Sequence, residues 1–281
     1  MKSIKISIAI MALAAITFTA CKKDDSTTPG GDEVAITSDL SSKQATTDIM
    51  VEGDNAVLFS ITDEQDLNGG KLSGGGQTPS FLCATVTVTP ASGFPKTITL
   101  DFGSGCTNPN TGVTRSGKMI FVLSDSLRHA GATAVLTFDN YYVNGFKREG
   151  TITWTNVSTP GHRSWTRQVV AGKITAPNGH WWLHNSLKTI TQIHGMATLN
   201  PEDDAFETTG AGTVVNSNNV TRTYTILEAL VTKNSCPKIV SGRLKVEGPN
   251  HYAIINYGNG ACDNIATISI DGGNPFPIQL P

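Results

Sequence analysis

The sequence predicts an all-β protein, an antiparallel meander of about a dozen strands that forms a curled sheet, a sandwich or a partly open barrel, with a short N-terminal helix. From residue 81 onward, apolar and polar residues alternate, as where Ile152 and Trp154 stand between threonines, and this alternation is typical of a strand with one buried face. Turn signals such as Asn144-Gly145 separate the alternating runs. Units such as Glu149-Gly150 and His194-Gly195, in which glycine precedes an alternating run, indicate bulges or close backbone approach where a sheet bends.

The first twenty residues have the organisation of a secretory signal. Two lysines precede an apolar run over residues 6–18, and small residues lead to Cys21. The run is shorter than the roughly 20 residues that a membrane-spanning helix needs. A cysteine directly after the small residue predicts a lipoprotein signal. We therefore expect Cys21 to be acylated and to become the N-terminus of the mature chain.

The chain divides into four predicted regions. Residues 1–20 are the signal, and residues 21–44, which are rich in Lys, Asp, Ser, Thr, Gly and Pro, predict a disordered tether. In residues 45–80, an apolar and β-branched run predicts a helix despite Gly53, and a glycine-rich stretch predicts a linker. Residues 81–281 are the predicted β-domain.

Apart from Cys21, four cysteines predict two disulfide bonds, since their number is even and the expected compartment is oxidising. The midpoint between Cys83 and Cys106 falls in a turn-forming stretch. The midpoint between Cys236 and Cys262 does so as well. If the partners face each other across hairpins, one bridge forms within each pair. Metal ligation by the four thiolates is the alternative, and the lack of a Cys-x-x-Cys pair argues against it.

Two features resemble the uncharacterised outer-membrane and surface lipoproteins of the Bacteroidota. Lys-Asp-Asp at residues 23–25, just after Cys21, is similar to their surface-export signal. The segments 101–106 and 256–262 share an aromatic-Gly-x-Gly pattern with a nearby cysteine, and the stretch 259–267 is also similar to that group. The resemblance implies a β-rich lipoprotein that is displayed on the cell surface or faces the periplasm. It implies no catalytic residue.

Aromatic residues and histidines cluster at His180-Trp-Trp-Leu-His184. On a helix the two histidines could share a zinc ion, but the preceding turn predicts a strand, where they would stand about 13 Å apart. A hairpin end with one tryptophan buried and one at the rim is the structural interpretation. The functional interpretation is a sugar-stacking platform formed by Trp181 or Trp182 together with Trp165 and His184, because a flat indole packs on the apolar face of a pyranose.

Several acidic residues are candidates for catalysis or for binding a metal ion. The acidic turn at residues 202–204 lacks the ligand spacing of a calcium loop. Single acids on predicted strands could act as paired glycosidase carboxylates if the fold brings two within about 5–10 Å; these are Asp101, Asp139, Glu149 and Glu228. The sequence contains no Gly-x-Ser-x-Gly elbow and no phosphate-loop motif. No metal site and no cofactor are therefore expected.

Composition limits the partners. A formal net charge of −2 without a basic block argues against nucleic acid, so attachment to membrane lipid depends on the acyl chains at Cys21. We expect a lipoprotein with a binding or structural role at the cell envelope, where it holds a glycan or an envelope protein. An extracytoplasmic carbohydrate-active hydrolase is one alternative and would need two carboxylates in one cleft. A lipid or lipoprotein carrier is another and would need an apolar hollow.

Overall fold

The computed structural model describes residues 29–64, 83–109, 112–198 and 201–281 of the chain. The predicted signal, the lipidation site at Cys21, the first part of the tether and the predicted linker lie outside the described residues.

One helix and one sheet form the described part of the protein. The α-helix, α1, spans Pro29–Glu64, and a single 3₁₀ turn spans Pro201–Asp203. The strands are β1 Thr85–Thr89, β2 Lys96–Asp101, β3 Cys106–Thr107, β4 Thr114–Leu123, β5 Thr133–Val143, β6 Phe146–Asn156, β7 Ser164–Thr175, β8 Trp181–His194, β9 Ala205–Asn216, β10 Thr221–Lys233, β11 Cys236–Glu247, β12 Tyr252–Asn259, β13 Ile265–Ile270 and β14 Phe276–Gln279.

All 14 strands belong to one antiparallel sheet, which confirms the predicted all-β meander. Strands that follow each other along the chain are neighbours in the sheet, except that β4 pairs with both β2 and the short β3. The sheet is curled and does not close, and β1 and β14 are its two edges within the described residues. It has an inner face, which packs on α1, and an outer face.

Helix α1 lies against the inner face and is enclosed by it. None of residues 40–62 is exposed, and apolar side chains such as Leu40, Leu58 and Ile61 are fully buried. Hydroxyl groups within the helix donate to backbone carbonyls one turn earlier, as from Ser41 Oγ to Thr37 O at 2.7 Å. No helix in the described part of the chain is long and apolar enough to cross a membrane.

The helix is much longer than predicted. Residues 29–44, which were assigned to a disordered tether because of their polar composition, are helical. Polar residues in this segment are bonded to the sheet: Thr37 Oγ1 accepts a hydrogen bond from Arg222 Nε at 3.0 Å, and the Glu33 carboxylate accepts two from Asn250. These partners stabilise a segment that has little apolar surface of its own, so the prediction of disorder was wrong there.

Glycines in the predicted units lie at irregularities of the sheet. At Gly150 the β6–β7 register shifts, the φ angle is +111°, and a Cβ atom would lie 2.6 Å from the carbonyl oxygen of Ala171. This confirms the predicted bulge, although Gly150 lies within β6 and not ahead of it. The unit at Gly195 was predicted to begin a strand, but Gly195 follows β8 and enters a turn.

Both predicted disulfide bonds are present. Cys83 is bonded to Cys106 and Cys236 to Cys262, with Cα–Cα distances of 6.0 and 5.8 Å. The first pair does not face across a hairpin as expected, because Thr85 stands opposite Asp101 and Cys106 belongs to the separate strand β3. The bridge therefore joins β3 to the residue two positions ahead of the edge strand β1.

Candidate functional site

A cleft of about 450 Å³ opens at one end of the sheet, where three connections between strands meet. Arg128 comes from the β4–β5 connection, His162 and Arg163 from the β6–β7 connection, and Met196 from the β8–β9 connection. Trp165, at the start of β7, also lines it. The described lining residues include two guanidinium groups and no carboxylate. Basic side chains therefore outnumber acidic ones among the described lining residues of the cleft.

Arg163 is held in place by a short chain of hydrogen bonds. Its Nη1 atom donates to Gln192 Oε1 at 3.2 Å, and its Nη2 atom donates to the carbonyl oxygen of Met196 at 3.4 Å. The Gln192 amide in turn donates to Asp204 Oδ1 at 2.9 Å and to the His194 carbonyl at 3.0 Å. Gln192 and Asp204 are both buried. The Arg163 guanidinium group is consequently held by Gln192, and Gln192 is held in turn by Asp204.

The bottom of the cleft is part of the protein core. Trp165 is only 5 % exposed, and its indole N–H donates to the Leu127 carbonyl at 3.1 Å. Its ring lies 4.7 Å from that of Phe59 in α1, and Phe59 stacks on Phe206 of β9 at 5.2 Å. Such aromatic packing restricts motion of the rings. The cleft therefore has a preformed base, to which α1 contributes.

Comparisons of the chain with protein-family models, with curated proteins and with solved structures found no match. What the cleft could bind must therefore be inferred from the chemistry of its side chains.

The four residues of the predicted sugar platform do not form one surface. Trp182 and His184 are buried on the inner face, where the Trp182 indole donates to Thr47 Oγ1 of α1 at 2.9 Å. Trp181 is half-buried on the outer face, below the Lys173 ammonium. Consecutive residues of a strand point to opposite faces, which separates the two neighbouring tryptophans. Only Trp165 lines the cleft.

His184 is a neutral, enclosed imidazole. Burial, followed by the charges of Arg148, Lys188 and Arg167, holds the pKa of His184 well below its ordinary value. Its Nε2 atom has no hydrogen-bond partner among the described residues. A Cβ atom on Gly172 would lie 2.5 Å from this nitrogen, which explains the glycine opposite His184 in β7. With α1 packed over it, this histidine has no access to a ligand.

Three buried ion pairs join α1 to the inner face, and the predictions made from the sequence do not include them. In each pair the helix carries the acid and the sheet carries the base, and all six side chains are at most 5 % exposed. The pairs are Asp48–Lys188, Glu52–Arg167 and Asp54–Arg148. One signal was available: Arg167 stands between Trp165 and Val169 in an alternating run, at a position that faces inward.

The two carboxylates nearest these arginines differ in pKa for a geometric reason. Burial alone would raise the pKa of Glu52, but the charge and hydrogen bonds of Arg167 outweigh burial, and the pKa lies below its ordinary value. For Asp54, burial outweighs the attraction of Arg148, and the pKa is raised. Arg167 gives Glu52 two hydrogen bonds, whereas Arg148 gives Asp54 one and leaves its Nε and Nη1 atoms without a described partner.

The acids considered for catalysis lie elsewhere. Asp101 pairs with Lys118 at 3.2 Å, Glu149 with Lys147 at 3.1 Å, and Glu228 with Arg243 at 2.9 Å, all on partly exposed side chains. Asp139 is likewise not among the described residues that line the cleft. Within the described ranges, no group of three or more His, Cys, Asp or Glu side chains could hold a metal ion.

Proposed function

We propose that the protein is a lipid-anchored lipoprotein of the cell envelope that binds a saccharide in the cleft beside Trp165. The predicted signal and Cys21 support the anchor, and the Lys-Asp-Asp stretch supports display on the cell surface, with a periplasm-facing position as the alternative. Two disulfide bonds are in keeping with an oxidising compartment. A binding role is preferred over a catalytic one.

The observation that carries the binding role is the cleft itself. Its volume of about 450 Å³ lies in the range of small-molecule sites, which combine apolar surface with a few positioned polar groups. Met196 offers apolar surface, being 38 % exposed, and Arg163 offers a fixed polar group. Three connections form the rim, and binding residues are frequent on loops that a rigid scaffold positions.

Both alternative functions fit the geometry less well. A glycoside hydrolase needs two carboxyl groups on either side of the scissile bond, and no carboxylate occurs among the described residues of the cleft. A lipid carrier needs an apolar hollow, but the inner face is covered by α1 and joined to it by ion pairs. A carrier would require the helix to leave the sheet.

The anchor is tested by replacing its attachment residue. The Cys21→Ala variant and the natural protein are expressed in the same host, and their distribution between membrane and soluble fractions is compared. We expect the variant to leave the membrane fraction and to lose acylation in the intact mass. Retention of the variant with membranes would contradict the anchor. Protease treatment of whole cells then distinguishes surface display from a periplasm-facing position.

The cleft is tested with a glycan array and a pair of matched variants. Met196→Glu places a charge at the rim of the cleft, and Leu187→Glu makes the same change on the outer face, where Leu187 is 61 % exposed. We expect the natural protein and the Leu187 variant to retain the same saccharides and the Met196 variant to lose them. Equal binding by both variants would place the ligand elsewhere.

A further inference from the structure

We infer that the saccharide bound in the cleft is anionic and that Arg163 binds its carboxylate or sulfate group. This inference depends on the proposed function, since it specifies the ligand of the same site.

The charge of the cleft favours an anion. Arg128 and Arg163 line it, His162 is exposed at its rim, and its described lining includes no carboxylate. The formal net charge of the whole chain is −2, so this positive surface does not reflect a generally basic protein. A cleft of one charge sign concentrates ligands of the opposite sign and increases their rate of association.

Arg163 is already arranged for binding. A guanidinium group has five N–H donors, and among the described residues Arg163 uses one for Gln192 and one for Met196. Other donors thus remain for a ligand, and the planar group suits the two oxygens of a carboxylate or sulfate. Because Asp204 holds Gln192 and Gln192 holds Arg163, little side-chain freedom is lost when a ligand binds.

The surroundings favour a saccharide over an acidic peptide. Extended peptides commonly bind by adding a strand to an exposed sheet edge. The cleft instead lies among connections of β4 to β9, far along the sheet from the edge strands β1 and β14. Ser158, Thr159 and Gly161 line it, and Met196 supplies an apolar surface. This combination suits a short sugar with one acidic group.

The test compares an anionic saccharide with its neutral counterpart. Four ligands are titrated into the intact, detergent-solubilised protein by calorimetry. They are trigalacturonate, the same trisaccharide with its carboxyl groups reduced to hydroxymethyl groups, a heparin-derived tetrasaccharide and tetraglutamate. Arg163→Gln removes the proposed contact. Arg243→Gln is the matched control, since Arg243 is a partly exposed arginine outside the cleft that pairs with Glu228.

We expect at least one anionic saccharide to bind tenfold or more tighter than the neutral trisaccharide. Arg163→Gln should remove that difference, Arg243→Gln should preserve it, and added salt should weaken binding of the anion. Equal binding of the neutral trisaccharide, or no effect of Arg163→Gln, would overturn the inference but leave a saccharide-binding cleft. Tighter binding of tetraglutamate would overturn the choice of a saccharide. If no saccharide binds, neutral or anionic, the proposed function itself fails.

Discussion

Arg167 of β7 donates two hydrogen bonds to the carboxylate of Glu52 in α1, from Nη1 at 3.1 Å and from Nη2 at 2.5 Å. The two side chains are 0 % and 3 % exposed, and Thr208 donates to the same carboxylate. Two charges removed from water in this way hold each other in place, because each would be unpaired if the helix shifted along the sheet. A buried pair of this kind adds little net stability, but leaving either partner unpaired is strongly destabilising.

Removing one member of this pair should be strongly destabilising. We expect Glu52→Leu to lower the free energy of unfolding by about 3–5 kcal/mol, because Arg167 would be left as an unpaired buried charge. The double variant Glu52→Leu with Arg167→Met should recover most of that loss, since both charges are then gone. Urea denaturation followed by tryptophan fluorescence measures both values.

A solvent-exposed ion pair provides the control for the Glu52 and Arg167 variants. Glu228→Gln breaks the Glu228–Arg243 pair, whose side chains are 58 % and 42 % exposed, and should cost less than about 1 kcal/mol. A Glu52→Leu variant as stable as Glu228→Gln would contradict the burial of the Glu52–Arg167 pair.

The sequence predicts the sheet better than it predicts the helix that the sheet encloses. Strand alternation is local, so residues such as Ile152 and Trp154 reveal it without knowledge of the rest of the chain. Residues 40–62 of α1 are enclosed on every side, and a helix buried all round has no apolar stripe to recognise. Its buried Asp48 and Glu52 are stabilised by bases more than 100 residues away. No short window of sequence contains that information.

The cleft was only partly predictable for a similar reason. Trp165 belongs to the predicted sugar-stacking platform, and it lines the cleft. Arg128, Arg163 and Met196 belong to three different connections, which come together only because alternate connections of a meander lie at the same end of the sheet. Their proximity follows from strand order, and alternation alone does not define strand bounds closely enough to place these three residues together.

Two glycines should respond in opposite ways to alanine. A Cβ atom at Gly53 in α1 would have nothing within 4 Å, and alanine is the better helix former, so Gly53→Ala should raise the free energy of unfolding by up to about 1 kcal/mol. At Gly212 in β9 a Cβ atom would collide with the Asn185 carbonyl and lie 2.6 Å from Tyr224 Oη. Gly212→Ala should therefore lower stability by about 1–3 kcal/mol.

Urea denaturation of the two glycine variants against the natural protein measures these changes. Destabilisation by Gly53→Ala would indicate that α1 is not helical at this position. A neutral Gly212→Ala would indicate that Tyr224 does not lie over β9.

Both disulfide bonds should stabilise the protein to a similar extent. They join cysteines 23 and 26 residues apart, and the chain-entropy account gives about 3.4 kcal/mol for a loop of this length. We expect thermal denaturation midpoints to fall in Cys83→Ala/Cys106→Ala and in Cys236→Ala/Cys262→Ala. The second variant should fall further, since Cys236 is 4 % exposed and also packs in the core.

The comparison for these variants is the natural protein after reduction under denaturing conditions and refolding without an oxidant. Its midpoint should lie below that of either double variant. Peptide mapping without reduction should link Cys83 only to Cys106 and Cys236 only to Cys262; a cross-link between the two pairs would contradict the structure.

His184 should make the protein less stable as the pH falls below about 6.5. Its pKa in the native state lies well below the ordinary value of 6.5, because burial and the charges of Arg148, Lys188 and Arg167 oppose protonation. The unfolded chain therefore binds a proton that the native protein does not. This contribution to stability is complete when the pH is above the ordinary pKa. It is lost as the pH falls toward the pKa of His184 in the native protein, with a slope approaching about 1.4 kcal/mol per pH unit.

The His184→Gln variant separates this contribution from that of other groups. We expect the free energy of unfolding, measured in urea at pH 7.5, 6.5, 6.0 and 5.5, to fall less steeply in the variant than in the natural protein. His180→Gln, at an exposed position of the same β7–β8 hairpin, is the matched control. Asp54 acts in the opposite sense, because its native pKa is raised and its ionisation with rising pH lowers stability. If the stability of His184→Gln and of the natural protein fell with the same slope as the pH is lowered, the imidazole of His184 would not be enclosed between α1 and the sheet.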